Sequence, residues 1–210
     1  MFDVANQQQA KQIILTPEGG ASTEERWERE TPFLSRDIGA FLEPSSRSVV
    51  LDYGCGLGRI ARELIISHGC RVLGVDISSS MRQLAPGYVA DERFSIISVP
   101  MFASMVDHGL RVSSAYTAWV LQHCPNVAQA VNWIKSSIQP KGRFYVLNNN
   151  RSAVPINNGW VNDGVDIKAL LESEFTLQGY SRLPQEASVK AVIENTFIGK
   201  FVNDKIDGAT

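Results

Sequence analysis

Cysteine is scarce: Cys55, Cys70 and Cys124 are the only three in 210 residues, odd in number and scattered. They form neither a disulfide framework nor a zinc-ligand spacing, so no metal is expected, and they suit a reducing, cytoplasmic setting. Long apolar runs are missing as well. None approaches the roughly 18 residues that span a bilayer, which excludes a membrane helix. Met1 to Lys11 is polar and glutamine-rich, unlike a signal peptide. Charge of one sign is also lacking: 20 Lys and Arg stand against 22 Asp and Glu, a net charge of -2. That balance offers no electrostatic footprint for nucleic acid or an anionic membrane. No internal repeat or low-complexity segment occurs. What remains is 44% hydrophobic and 20% charged, an ordinary globular composition. A chain of this length can bury about 70% of its surface around one core.

Residues 1–47 lack strand character and read as a helical lead-in or lid. Ala5 to Leu15 suits a short helix, and Gly19-Gly20 marks a break. Ser22 with Glu25 three residues on is a capping box that opens a second helix. Pro32 is expected to interrupt it, with Thr31 capping a new helix that carries Leu34, Ile38, Phe41 and Leu42 on one face. From residue 48 to 210 the chain alternates as one domain. Strands are predicted at Ser48–Tyr53, Arg71–Asp76, Arg93–Ser98, Val112–Val120 and Gly142–Asn149. Helices are predicted at Gly58–His68, Ser78–Ala85, Val127–Ile138 and Asp166–Glu174, the second of these stopped by Pro86-Gly87. Phe175–Leu183 and Asn195–Val202 read as two closing strands. Residues 99–110 and 151–165 read as long connections free to cover a pocket. Alternation of this kind predicts an α/β fold with a mostly parallel sheet and helices on both faces. Ligands bind such a sheet outside the carboxyl ends of its strands.

The turn after the first strand is the sharpest signal. It reads Asp52-Tyr53-Gly54-Cys55-Gly56-Leu57-Gly58-Arg59. Glycine there lets a ligand approach the main chain, and the following helix offers free N–H groups to an anion. A tight strand-to-helix turn is the plainer alternative. The spacing is G-x-G-x-G with Arg59 in sixth place, which is unlike the G-x-G-x-x-G of nicotinamide enzymes. Asp76 ends the second strand, 18 residues after Gly58. A carboxylate there either accepts hydrogen bonds from ribose hydroxyls or caps the next helix.

The run VVLDYGCGLGRIARELI, followed by RVLGVDISSSM, resembles the class I S-adenosylmethionine-dependent methyltransferases. The likeness extends through AWVLQHCPNVAQAVNWIKSSIQPKGRFYVLN and back to EERWERETPFL, covering about residues 22–150. The resemblance implies a Rossmann-like seven-stranded sheet with its last strand antiparallel. It also implies S-adenosylmethionine as cofactor and S-adenosylhomocysteine as product. Gly54, Cys55, Gly56 and Gly58 would approach the methionine and ribose, and Asp52 would sit near the methionine amino group. Asp76 would hold the ribose, with Ile77 and Met81 flanking the adenine. Trp119 and Val120 would lie near the sulfonium. Arg59 would either meet the cofactor carboxylate or remain a surface residue. The family often has an acid after strand three that reads the adenine. This chain has Ile97-Ser98-Val99-Pro100-Met101-Phe102 instead, which leaves Ser98 or a backbone carbonyl for that task, and Met101 as a contact.

The family's nucleic-acid base, cytosine C5, arginine and metal-dependent catechol types each carry motifs that are missing here, so a small-molecule acceptor is expected. His123, just past the fourth strand, is the candidate base for an O or N acceptor. A structural histidine is the competing reading. Trp27 and Trp119 have an aromatic face that suits a cation. Trp27, Asn149, Arg151 and Trp160 are candidates for the acceptor pocket, with core packing the alternative for Trp27 and a simple chain turn the alternative for Asn149 and Arg151. A macromolecular acceptor, or cofactor binding without catalysis, are the alternatives.

Overall fold

The computed structural model describes residues 2–204. Two helices lead in, α1 (Gln7–Ile14) and α2 (Thr23–Leu42). The alternating region follows: β1 (Val49–Tyr53), α3 (Arg59–His68), β2 (Arg71–Val75), α4 (Ser79–Val89), β3 (Phe94–Ile97), α5 (Val99–Asp107), β4 (Ser114–Ala118), α6 (Val127–Ser137) and β5 (Arg143–Asn149). A short hairpin of β6 (Val154–Ile156) and β7 (Gly159–Val161) precedes α7 (Ile167–Glu174), β8 (Thr176–Ser181), α8 (Lys190–Asn195) and β9 (Thr196–Val202).

Seven strands form one sheet in the order β3-β2-β1-β4-β5-β9-β8. Strands β1 to β5 pair in parallel, and β9 runs antiparallel to both β5 and β8. The order reverses between β1 and β4, which opens a crevice above their carboxyl ends. Strand residues alternate between two cores. Val50, Tyr116, Tyr145 and Ile198 pack with α2, α3 and α4 on one face. Leu51, Phe144, Val146 and Phe201 pack with α5, α6 and α7 on the other. Each such buried side chain stabilises the fold by about 1.5–3 kcal/mol. A third, smaller cluster joins Ala10, Leu57 and Met81, with Ile14 and Trp27 against it. It seats α1 on the turn after β1.

Several boundaries differ from expectation. Pro32 does not interrupt α2, which runs for 20 residues from the Ser22–Glu25 capping box. Pro32 and Glu28 both face solvent, where the missing proline N–H on the Glu28 carbonyl costs less than it would in the core. Buried Thr31, Leu34 and Ile38 hold the opposite face continuous. Pro86-Gly87 likewise fails to stop α4, because both residues are exposed while Ala85 and Val89 stay buried. Residues 99–107 are a helix rather than a pocket cover. Ser98 caps it, Pro100 sits in its first turn, and Phe102 and Val106 anchor it to the sheet. Helix α8 and the β6–β7 hairpin are additions that the sequence pattern did not announce.

Candidate active site

The turn after β1 is drawn back over β2. The N–H groups of Gly54 and Cys55 both donate to the Val75 carbonyl, at 2.7 and 3.1 Å. Gly54 has φ 80°, and a side chain there would lie 2.2 Å from Val120 Cγ2. Gly56 has φ 54° and faces Ile14 of α1. Both positions therefore exclude any side chain. Gly58 belongs to packing: it precedes α3, and a Cβ would strike Val89 and Phe94. Cys55 is buried beneath the turn, and that burial pushes its thiol well above the ordinary range.

The Asp76 carboxylate is held by two backbone donors, Gly56 N–H on Oδ2 and Ser78 N–H on Oδ1, each at 2.8 Å. It does not cap α4; the Ser78 hydroxyl does, accepting from Met81 N–H. Burial raises the Asp76 pKa, partly offset by those two N–H groups. Two donors leave further lone pairs on a carboxylate, and Asp76 opens onto the cavity with Gly54, Gly56, Ile77 and Met81.

That cavity measures about 1360 Å³. Trp119 and Val120 line it where the chain leaves β4. Trp119 adopts φ 56°, unusual for an aromatic residue and a mark of local strain. Its ring lies 5.7 Å from the Arg26 guanidinium and 5.9 Å from that of Arg59. Trp27 is engaged in the same way, by Lys11 and Arg59 at 5.2 Å each. Both aromatic faces thus hold the protein's own cations.

Some expected residues lie off the cavity wall. Asp52 sits under the turn and accepts from Tyr116 Oη at 2.7 Å. Burial there raises its pKa to about 7, with the Tyr116 hydrogen bond opposing. Arg59 is buried, not surface-exposed, and donates to the Thr31 hydroxyl. Its burial brings the guanidinium down to about 10, against the pull of Glu30. Met101 is 55% exposed on the outer face of α5. Ser98 is committed to capping α5. Trp27 packs between α1 and Tyr88 of α4.

Arg26 was not anticipated, yet it lines the cavity and pairs with buried Glu30 at 2.9 Å. Its signal was present in the sequence. Residues 26, 30, 34 and 38 share one helical face, and a charged pair continues the apolar stripe of Leu34 and Ile38.

The same cavity is lined by His123, Asn149, Arg151 and Trp160. His123 ends a 3-10 turn, Leu121–His123. Its Nδ1 lies 2.7 Å from the Ala153 carbonyl, so Nδ1 carries the proton and Nε2 the lone pair. The Gln122 amide donates to that lone pair at 3.2 Å. Burial lowers the His123 pKa below the usual imidazole value, partly countered by the Ala153 bond. The His123 and Trp160 rings lie 4.7 Å apart, and Phe2 sits 6.2 and 6.1 Å from them. Phe2 is pinned by its carbonyl, which accepts from the Ser78 hydroxyl at 2.8 Å, while Val4 N–H donates to Ser80.

A family model described as a methyltransferase domain matches residues 51–146. The O-methyltransferase resE of Aspergillus sclerotiorum is 29% identical over 129 residues, covering 60% of this chain and 48% of the relative. The chain therefore spans about half the length of the curated relative it matches. Among solved structures, the CurJ carbon methyltransferase superposes with a TM-score of 0.68 at 15% identity, over 94% of this chain and 58% of that one. The geranyl diphosphate C-methyltransferase from Streptomyces coelicolor A3(2), in complex with Mg2+, geranyl diphosphate and S-adenosyl-L-homocysteine, gives 0.66 at 12% identity, over 95% and 88%. At these identities the likeness is one of fold.

Proposed function

Since the chain belongs to the class I S-adenosylmethionine-dependent methyltransferases, we propose that it methylates an oxygen or nitrogen atom of a small molecule. One observation carries this reading: a single cavity joins the Gly54–Gly56 turn and Asp76 to His123. The near half fits the cofactor. Gly54 and Gly56 present bare backbone, since any Cβ there would strike Val120 or Ile14, and Asp76 offers a fixed carboxylate to a ribose diol. When bound, S-adenosylmethionine supplies a methyl group made electrophilic by its sulfonium.

The chain's own residues then bind and orient. Asp76 holds the ribose, and Ile77 and Met81 cover the adenine. Arg26, rather than Arg59, meets the methionine carboxylate, because Arg26 is the guanidinium on the wall. Trp119 and Val120 bound the sulfonium region by shape. Held this way, the cofactor would supply its methyl carbon to the acceptor's lone pair and keep the S–CH3 bonding pair on sulfur. The acceptor's proton passes to His123 Nε2. Neutral His123 has that lone pair free to accept once a substrate hydroxyl displaces the Gln122 amide. Alignment and exclusion of water supply most of the remaining acceleration, several kcal/mol for well-placed reactants.

Residues 1–47 serve as the lead-in, with α1 as the lid and 48–210 as the methyltransferase domain. Among the described residues no helix is long and apolar enough to cross a membrane. Three free cysteines suit a reducing compartment, and the cytoplasm is the proposed location.

Calorimetric titration with S-adenosylmethionine, S-adenosylhomocysteine and NAD tests the reading. Micromolar binding of the first two and none of NAD is expected. Absence of binding by either sulfur compound would remove it.

A further inference from the structure

Four charged side chains line the cavity: Glu18, Arg26, Asp76 and Arg151. Three are already engaged. Arg26 pairs with Glu30 and lies 3.8 Å from Glu18, and Asp76 accepts its two backbone bonds. Arg151 stands apart on the His123 side, with no hydrogen bond, ion pair or ring contact among the described residues. It follows β5 two residues before Ala153, whose carbonyl fixes His123. The side-chain amides of Asn149 and Asn195 line the same cavity and are also without partners among the described residues.

A guanidinium presents a planar fork of donors that matches a carboxylate with two parallel hydrogen bonds. One unpaired cation among neutral amides balances one negative charge, which suits a carboxylate better than a doubly charged phosphate monoester. Trp160, which lines the same cavity, stands 47% exposed on a hairpin that pairs only with itself. Its ring is tilted 50° to His123 at 4.7 Å. Aromatic rings favour offset or tilted partners at 4.5–7 Å, roughly the spacing this cluster keeps.

Resting on the methyl-transfer reading, we infer that the acceptor is an aromatic carboxylic acid bearing a hydroxyl or amino group. Its carboxylate is held by Arg151, and its ring lies against Trp160 close to His123.

The test uses the full chain saturated with S-adenosylhomocysteine, whose own binding is measured first. It is titrated with 4-hydroxybenzoate, 3-hydroxybenzoate, 4-aminobenzoate and 3-(4-hydroxyphenyl)propanoate, and with the methyl ester of each. Binding is followed by calorimetry and tryptophan fluorescence. At least one acid should bind tenfold or more tighter than its ester. Arg151→Gln should erase that preference, and Trp160→Ala should weaken acid and ester alike, with S-adenosylhomocysteine binding reporting that each variant is folded. Equal binding of acid and ester, a preference that survives Arg151→Gln, or no binding by any of the panel overturns the inference. If S-adenosylhomocysteine itself does not bind, the methyl-transfer reading falls instead.

Discussion

The two halves of the cavity are built by opposite means. The half around Gly54, Gly56 and Asp76 is made of backbone. Its groups are buried, its hydrogen bonds are closed on the sheet, and its residue types are fixed by space and φ. The half around His123, Arg151 and Trp160 is made of side chains, many exposed and several without partners, carried by connections beyond β4 and β5. A backbone turn at the carboxyl ends of central strands can hold one ligand part in the same way through much sequence change. Loops and hairpins leave the other part free to vary.

The contrast can be broken by substitution, beginning with Gly54→Ala. Its methyl would collide with Val120 on a left-handed backbone, so a loss on the order of 3 kcal/mol in unfolding free energy is expected, with cofactor binding abolished. Urea denaturation measures it, and Val120→Ala should restore only the collision part. Asp76→Ala should weaken S-adenosylhomocysteine by about 1.5–3 kcal/mol, as loss of a charged hydrogen-bond partner does. Unchanged affinity by calorimetry would remove Asp76 from the ribose. Asp52 sharpens the comparison through pH. Its pKa in the folded chain, about 7, lies above the usual carboxylate value, so the folded state binds the extra proton. Stability is therefore greatest below the unfolded value near 4, and it falls as pH rises through 7. The slope is at most about 1.4 kcal/mol per pH unit. Asp52→Asn should flatten that decline in melts between pH 5 and 8. On the other half, Ile156→Ser on the exposed hairpin should change stability by no more than about 0.5 kcal/mol and leave cofactor affinity alone.

The sheet was legible because doubly buried strands leave continuous apolar runs, and the glycine turn because backbone φ dictates residue type. The prolines misled for a shared reason. Pro32 and Pro86 lie on solvent faces, where a missing N–H costs little and the buried face carries the helix through. Helix α5 reads as a connection from its sequence, although Ser98 and Pro100 are ordinary helix-start residues. Met101, Arg59 and Trp27 do not line the cavity: Met101 is exposed, Arg59 is buried against Thr31, and Trp27 packs against Lys11 and Tyr88. Arg26 was overlooked because a lone arginine in a charged run looks solvated until its face is drawn. His123, Asn149, Arg151 and Trp160 line one cavity, as their places at or after the carboxyl ends of β4 and β5 suggest. Their mutual arrangement depended on the β6–β7 hairpin, which has no strong pattern.

Ile14 rests on Gly56, and α1 is itself tethered through Trp27, Phe2 and Val4. On the proposed cofactor reading, a nucleoside arriving at Gly56 displaces the Ile14 side chain that packs there. The affinity measured is then the intrinsic one scaled by the fraction of molecules with Ile14 withdrawn. Substitutions at Lys11 or Ser80, neither of which lines the cavity, would tune that fraction. On that same reading the N-terminal segment would set how often the cavity is available, and product departure would wait on the same opening.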